Sequence, residues 1–164
     1  MQRAHDIIGL PVISIDTGKR VGTVKDVLIT FDWTLMGILL DPKRWFASPR
    51  LIAWEHLVSL GPDAVTIADE DVLQNMDEHV DAASLASGEH KLKGLPVITV
   101  NGRQLGFLED VYFDEKLGRK IEGLEISDGF ISDLKEGRKR LPAPEEATIG
   151  DDAVIVPASW SEIN

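Results

Sequence analysis

Gly9-Leu10-Pro11-Val12-Ile13 returns later in the chain as Gly94-Leu95-Pro96-Val97-Ile98. The match runs on through Gly18, Gly22, Asp26 and Val27, which align with Gly102, Gly106, Asp110 and Val111 once one residue is deleted from the second copy. Nine of the eighteen aligned positions are identical, where unrelated segments would share about one. The order persists beyond them. Gly37 corresponds to Gly123, Ala53 and Glu55 to Ala143 and Glu145, and Gly61-Pro62-Asp63-Ala64-Val65 to Gly150-Asp151-Asp152-Ala153-Val154. The chain is a tandem duplication of a unit of roughly 70 residues, a size at which a lone core is marginal and packing against a neighbour is expected.

Within each unit the apolar runs are short and separated by glycine turns. Pro11 to Ile15 and Val21 to Thr30 flank a turn at Asp16-Thr17-Gly18-Lys19, and Val97 to Val100 and Leu105 to Phe113 flank Asn101-Gly102. Asn-Gly between β-rich runs signals a hairpin, because both residues tolerate positive φ. Further strands are expected at Leu35 to Leu40, Arg50 to Trp54, Leu57 to Leu60 and Ala64 to Ile67, with counterparts at Lys120 to Ile126, near Arg140, near Thr148 and at Ala153 to Val156. Five or six short strands with no long helix describe a small closed barrel, which removes exposed sheet edges. Between the units, Asp69-Glu70-Asp71 precedes Leu73, Met76 and Val80 at helical spacing, which predicts one α-helix over about Asp71 to Leu85. The expected fold is thus mainly β: two tandem small β-barrels of five to six strands joined by one α-helix. Residues 1–68 form the first repeat, 69–89 the helical linker, 90–158 the second repeat and 159–164 a tail.

The run Gly18-Lys19-Arg20-Val21-Gly22-Thr23-Val24-Lys25-Asp26-Val27, followed by Leu51-Ile52-Ala53-Trp54 and by Gly61 to Val65, resembles the PRC-barrel domain. Gly102 to Val111 resembles it equally, and Leu141-Pro142-Ala143-Pro144, Ile149 to Asp152 and Val156-Pro157 look like the ending of its stand-alone tandem members. That family is named for the cytoplasmic part of the photosynthetic reaction-centre H subunit. It also supplies the C-terminal domain of a ribosome-maturation factor and many small bacterial proteins. The resemblance covers Ile7 to about Pro157. It implies a barrel used for docking onto a partner, and it brings no shared catalytic residues to transfer.

Charge and composition narrow the function classes. Net charge is −11 and both halves are acidic, which argues against binding nucleic acid through phosphate neutralisation and against docking on anionic membrane. There is no cysteine, so disulfides, thiolate metal sites and Cys nucleophiles are excluded. No stretch approaches about 18 apolar residues, so no membrane span is expected, and a cytoplasmic location follows from the lack of a signal-peptide pattern. His5, His56, His79 and His90 have no metal-ligand spacing, no serine sits in a Gly-x-Ser-x-Gly elbow, and the acidic spacings do not fit a calcium loop. Neither enzyme activity, a cofactor nor a metal is expected.

Two kinds of residue stand out as candidates. Asp26 and Asp110 recur at equivalent places, either as a carboxylate site or as acceptors for backbone N–H groups at a turn or bulge; recurrence in both copies favours the second. Trp33, Trp45, Phe46 and Trp54 crowd the first repeat only. Trp33, Trp45 and Phe46 read as aromatic interface anchors at loop tips, or else as caps on the barrel ends. Arg138 and Arg140, in the single basic cluster Lys135 to Arg140, are the other candidate contacts. The expected function is a non-catalytic protein-binding or scaffold module with a protein partner. An RNA-processing or ribosome-assembly accessory role is the first alternative, and a small-ligand site between the barrels the second. Small barrels leave apolar surface uncovered, and a homodimer would cover it.

Overall fold

The computed structural model describes residues 1–41, 49–76, 80–114, 116–128 and 138–163. It is mainly β, built as two curled sheets. The first contains β2 (Pro11–Ser14), β3 (Arg20–Ile29), β4 (Leu35–Leu40), β5 (Arg50–Ala53), β6 (Leu57–Leu60) and β7 (Val65–Ile67). Linker strands β8 (Gln74–Asn75) and β9 (Ala83–Ser84) complete it, in the order β6-β7-β2-β3-β4-β5-β8 with β9 on β3. The second contains β10 (Pro96–Thr99), β11 (Gln104–Phe113), β12 (Ile121–Ser127), β13 (Arg138–Leu141), β14 (Thr148–Ile149) and β15 (Val154–Val156). Its order is β13-β12-β11-β10-β15-β14, and β1 (Gln2–Arg3), from the start of the chain, lies on β11. The duplication is therefore visible strand by strand. Even the parallel strand pairing recurs, β2 with β7 and β10 with β15.

Two expectations need correction. The linker forms no α-helix among the described residues. Asp69 caps a single 3-10 turn over Glu70–Val72 by accepting the Asp71 N–H at 2.9 Å, and Leu73 is already extended. Gln74 and Asn75 then pair with Leu51 and Arg50, and Ala83 and Ser84 with Ile29 and Leu28. A short segment is marginal as a helix. An unpaired sheet edge offers its backbone the same hydrogen bonds plus burial, so the extended form wins. The barrels are also not closed by pairing among the described residues: β6 and β8 end the first path, β13 and β14 the second. The linker strands β8 and β9 enlarge the first sheet, and β1 the second, beyond the expected five or six members.

Imperfect alternation along β3 has a geometric cause. Its register shifts between Val24 and Asp26 and again between Leu28 and Ile29, and β11 shifts at Leu108/Asp110 and Tyr112/Phe113. Such bulges insert a residue and re-aim the side chains that follow. The extra residue Lys25 puts Val24 and Val27 on one face, and the β2–β3 shift that passes over Val21 turns that side chain inward too, so Val21, Val24, Val27 and Ile29 all reach the interior.

The halves share one core. Ala4, Ile7, Trp54, Leu85, Leu92 and Phe113 belong to a single buried cluster that draws on both sheets, and Trp54 meets Phe113 edge-on, with ring centroids 5.4 Å apart. Trp33, at the β3–β4 tip, donates from Nε1 to the Ala147 carbonyl at 2.9 Å; Trp54 donates from Nε1 to the Leu117 carbonyl at the β11–β12 tip, at 3.2 Å. Trp33 and Leu117 both hold positive φ, 64° and 66°, a cost for non-glycine residues that the surrounding contacts must offset. The tips also pair with each other, through Leu35 N–H to the Arg119 carbonyl and Ile121 N–H to the Trp33 carbonyl.

Candidate partner-binding surface

The recurring aspartates explain how each unit holds the other. Asp26 sits at the β3 bulge, 0% exposed, and accepts the Val27 N–H at 2.8 Å and the Ala86 N–H at 3.0 Å. Asp110 sits at the β11 bulge and accepts the Val111 N–H at 2.8 Å and the His5 N–H at 3.2 Å. The residues that lead into β10 are thus clamped to the first sheet, and the residues that lead into β2 are clamped to the second. Leu85 and Ala4, one residue ahead of each clamped N–H, are both completely buried. Asp26 gains a further donor in the Ser87 hydroxyl. Asp110 has no such further donor among the described residues, and its burial pushes its pKa up to about 6 against the opposing pull of the Val111 and His5 N–H groups.

Around those clamps the two sheets part company. Side chains alternate along a strand, so Leu28, Leu39 and Leu51 share the outer face of the first sheet with Asp26. They are buried nonetheless, alongside Ala82 of the linker, and stand outside the shared core. The corresponding positions on the second sheet are Tyr112, Glu125 and Arg140, set by the pairings of Asp110 with Glu125 and Glu125 with Arg140. Apolar has become charged. Glu125 is the centre of the new face. It accepts the Tyr112 hydroxyl at 2.6 Å and pairs with Arg138 at 3.1 Å and Arg3 at 3.5 Å, while its own side chain is 7% exposed. Burial and the bond to Glu125 push the Tyr112 hydroxyl up to about 12. Arg140 lies over the Tyr112 ring, 4.7 Å from its centroid, with its own side chain facing solvent.

The strand edges differ as well. On the first sheet the strip β3-β4-β5 is flanked by β9 on one side and β8 on the other. On the second, β1 takes the place of β9, but β13 ends the sheet with no strand beside it among the described residues.

The sequence candidates are distributed unevenly over this frame. Arg138 and Arg140 come together on β13. Trp33 is not an exposed anchor: it is 3% exposed, drawn into the seam by its indole bond to Ala147. Beside it a cleft of about 350 Å3 runs between Asp32 and Thr34 on one side and Lys120 and Glu145 on the other. Trp45 and Phe46 lie outside the described residues. Tyr112, Glu125 and Arg3 escaped sequence reading, although aligning the repeats position by position sets Tyr112 and Glu125 against Leu28 and Leu39. Exposed apolar side chains recur at Ile15 and Val100, in equivalent hairpin turns. Among the described residues no group of His, Asp and Glu is arranged to hold a metal ion, and no helix is long and apolar enough to cross a membrane.

Comparison with known proteins agrees with the internal repeat. A sequence model of the PRC-barrel domain matches residues 1–73 and again 87–163. The chain is also 27% identical over 143 residues to the uncharacterized protein YrrD of Bacillus subtilis, a match spanning 86% of this chain and 78% of YrrD.

Proposed function

The chain belongs to the PRC-barrel domain family, and from that premise we propose that it is a non-catalytic protein-binding scaffold whose contact surface is the outer face of the second sheet. The observation that carries this reading is the divergence of two otherwise matching faces. Clamps, bulges and tips are kept in both copies, so the frame is under the same physical demands twice. The outer face of one copy is apolar and covered; that of the other presents Tyr112, Arg138 and Arg140 around a buried Glu125. Aromatic and Arg side chains held in fixed rotamers suit recognition, because little freedom is left to lose on binding. Trp45 and Phe46 remain proposed anchors on sequence grounds alone.

The test is affinity capture from the source lysate with the intact chain and with Arg140→Glu, followed by direct titration of the purified partner. Loss of the partner with the variant supports the reading; equal recovery and equal affinity would sink this surface. The seam cleft, with Lys120 and Glu145 at its mouth 3.8 Å apart, supports a second reading as a small-ligand site. A ligand held there would raise the melting temperature by mass action. A metabolite screen without any such shift would remove that reading.

A further inference from the structure

We propose that the edge of β13, which has no strand beside it among the described residues, takes up an extended acidic segment of a partner protein as an added antiparallel strand, in the way that β5 takes β8. The inference rests on the protein-binding reading above and names its mode. Its first support is internal. Lys139 and Arg140 correspond to Arg50 and Leu51, and those two residues pair with Asn75 and Gln74 of the linker. This fold has therefore already accepted a short extended segment at that edge once. The correspondence extends to the approach: Leu73, which leads into β8, closes a 3-10 turn with its N–H on the Glu70 carbonyl, and Ile163 does the same with Trp160. The position matching Gln74 is Asn164, outside the described residues.

The second support is charge. β13 reads Arg138-Lys139-Arg140-Leu141 within a chain of net charge −11. Basic residues on an edge discourage pairing with a like strand. Antiparallel pairing of β13 with β13 of a second copy would set Arg and Lys opposite Arg and Lys, which is unfavourable. Asp or Glu opposite Arg138 and Arg140, which share a face of β13, inverts that sign, and main-chain bonds along the edge supply the sequence-independent part of the affinity. The same basic edge that excludes a second copy thus selects an acidic strand.

The probe is a capped hexapeptide of alternating glutamate and valine, with the lysine–valine version as control, titrated at low salt into the intact 15N-labelled protein. Saturable shifts are expected at the Lys139, Arg140 and Leu141 amides, with at least tenfold slower hydrogen exchange at β13. The lysine peptide should produce neither, and Arg140→Glu should weaken the glutamate peptide at least tenfold while the variant stays folded, its melting temperature lowered by no more than about 4 °C through loss of the Tyr112 contact. Shifts centred elsewhere, equal binding by the variant, or no saturable change would overturn the proposal. So would tighter binding of oligouridylate to the same amides, or concentration-dependent broadening there without peptide. A captured protein partner that still binds Arg140→Glu sinks the edge mode together with the outer-face surface and leaves the protein-binding role standing; peptide binding at β13 with no protein partner captured sinks the scaffold reading alone.

Discussion

The two sheets agree wherever the backbone needs help and disagree on the outer face around those places. Asp26 and Asp110 do one job, satisfying N–H groups that a bulge and a crossing segment leave without ladder partners. Leu28, Leu39 and Leu51 against Tyr112, Glu125 and Arg140 do different jobs on the same lattice of positions. A buried unpaired N–H costs about 1–3 kcal/mol wherever it occurs, so the clamps resist change in both copies. An outer face has no such fixed demand, and it becomes whatever covers it.

The largest effect that could break the comparison concerns the shared interior. Trp54→Ala should cost about 3–5 kcal/mol, and calorimetry should show one transition moving as a whole, since Trp54 packs on Phe113 and bonds to Leu117 of the other unit. Two separating transitions would show that the halves unfold independently.

Next in size is the difference between the clamps. The pKa of Asp110 is raised to about 6 from 3.8, so its folded form holds a proton more tightly than the unfolded chain does. Its contribution to stability is full below about pH 4 and is lost as pH rises through about 6, a span of roughly 2–3 kcal/mol. Chemical denaturation of the protein and of Asp110→Asn across pH 4 to 7 should therefore differ by an amount that falls with rising pH and levels off near neutrality. A constant difference would mean that Asp110 does not titrate in this window.

Strand spacing gives a smaller contrast. A methyl group at Gly37 would run into the Ile52 carbonyl, whereas at Gly123 it would meet the Leu141 carbonyl at 3.1 Å. Gly37→Ala should cost about 1–3 kcal/mol and Gly123→Ala less than half of that, read from urea midpoints; equal costs would show that the β4–β5 approach is not the tighter. Smallest is Arg140→Leu, which installs the residue of the first sheet. Losing the contact over Tyr112 should cost about 0.5–1 kcal/mol while the tyrosine absorbance titration moves little, because the Glu125 bond remains. A large loss would mean that Arg140 supports the fold rather than a surface.

Much of this was legible in the chain itself. Gly9 to Val27 and its second copy announce the repeat, Asn101-Gly102 and Gly18 mark hairpins, and the paired aspartates read as backbone acceptors. The linker was misread because Leu73, Met76 and Val80 keep helical spacing while the β5 edge that captures Gln74 and Asn75 lies more than twenty residues away in sequence. No local pattern reports a distant vacancy. Trp33 was misplaced for a related reason: a tryptophan between polar residues at a turn looks exposed until the Ala147 carbonyl arrives from the other repeat. Glu125 carried no motif, and only its alignment with Leu39 marks it as unusual.

The crossing of the lead-in segments has a consequence for any half of this chain taken alone. A unit cut off near residue 81 keeps a segment, Gln2 to Ile7, whose place lies on the missing half, and keeps a groove beside Asp26 whose occupant is gone. Two such units can fill each other's vacancies, but only at the concentration at which they meet. In the intact chain the covalent linker replaces that with a local concentration of order millimolar or more. Duplication here acts as a concentration device: it makes a mutual exchange of arms independent of how much protein is present, and sedimentation of the half-chain over a dilution series should show the dependence returning.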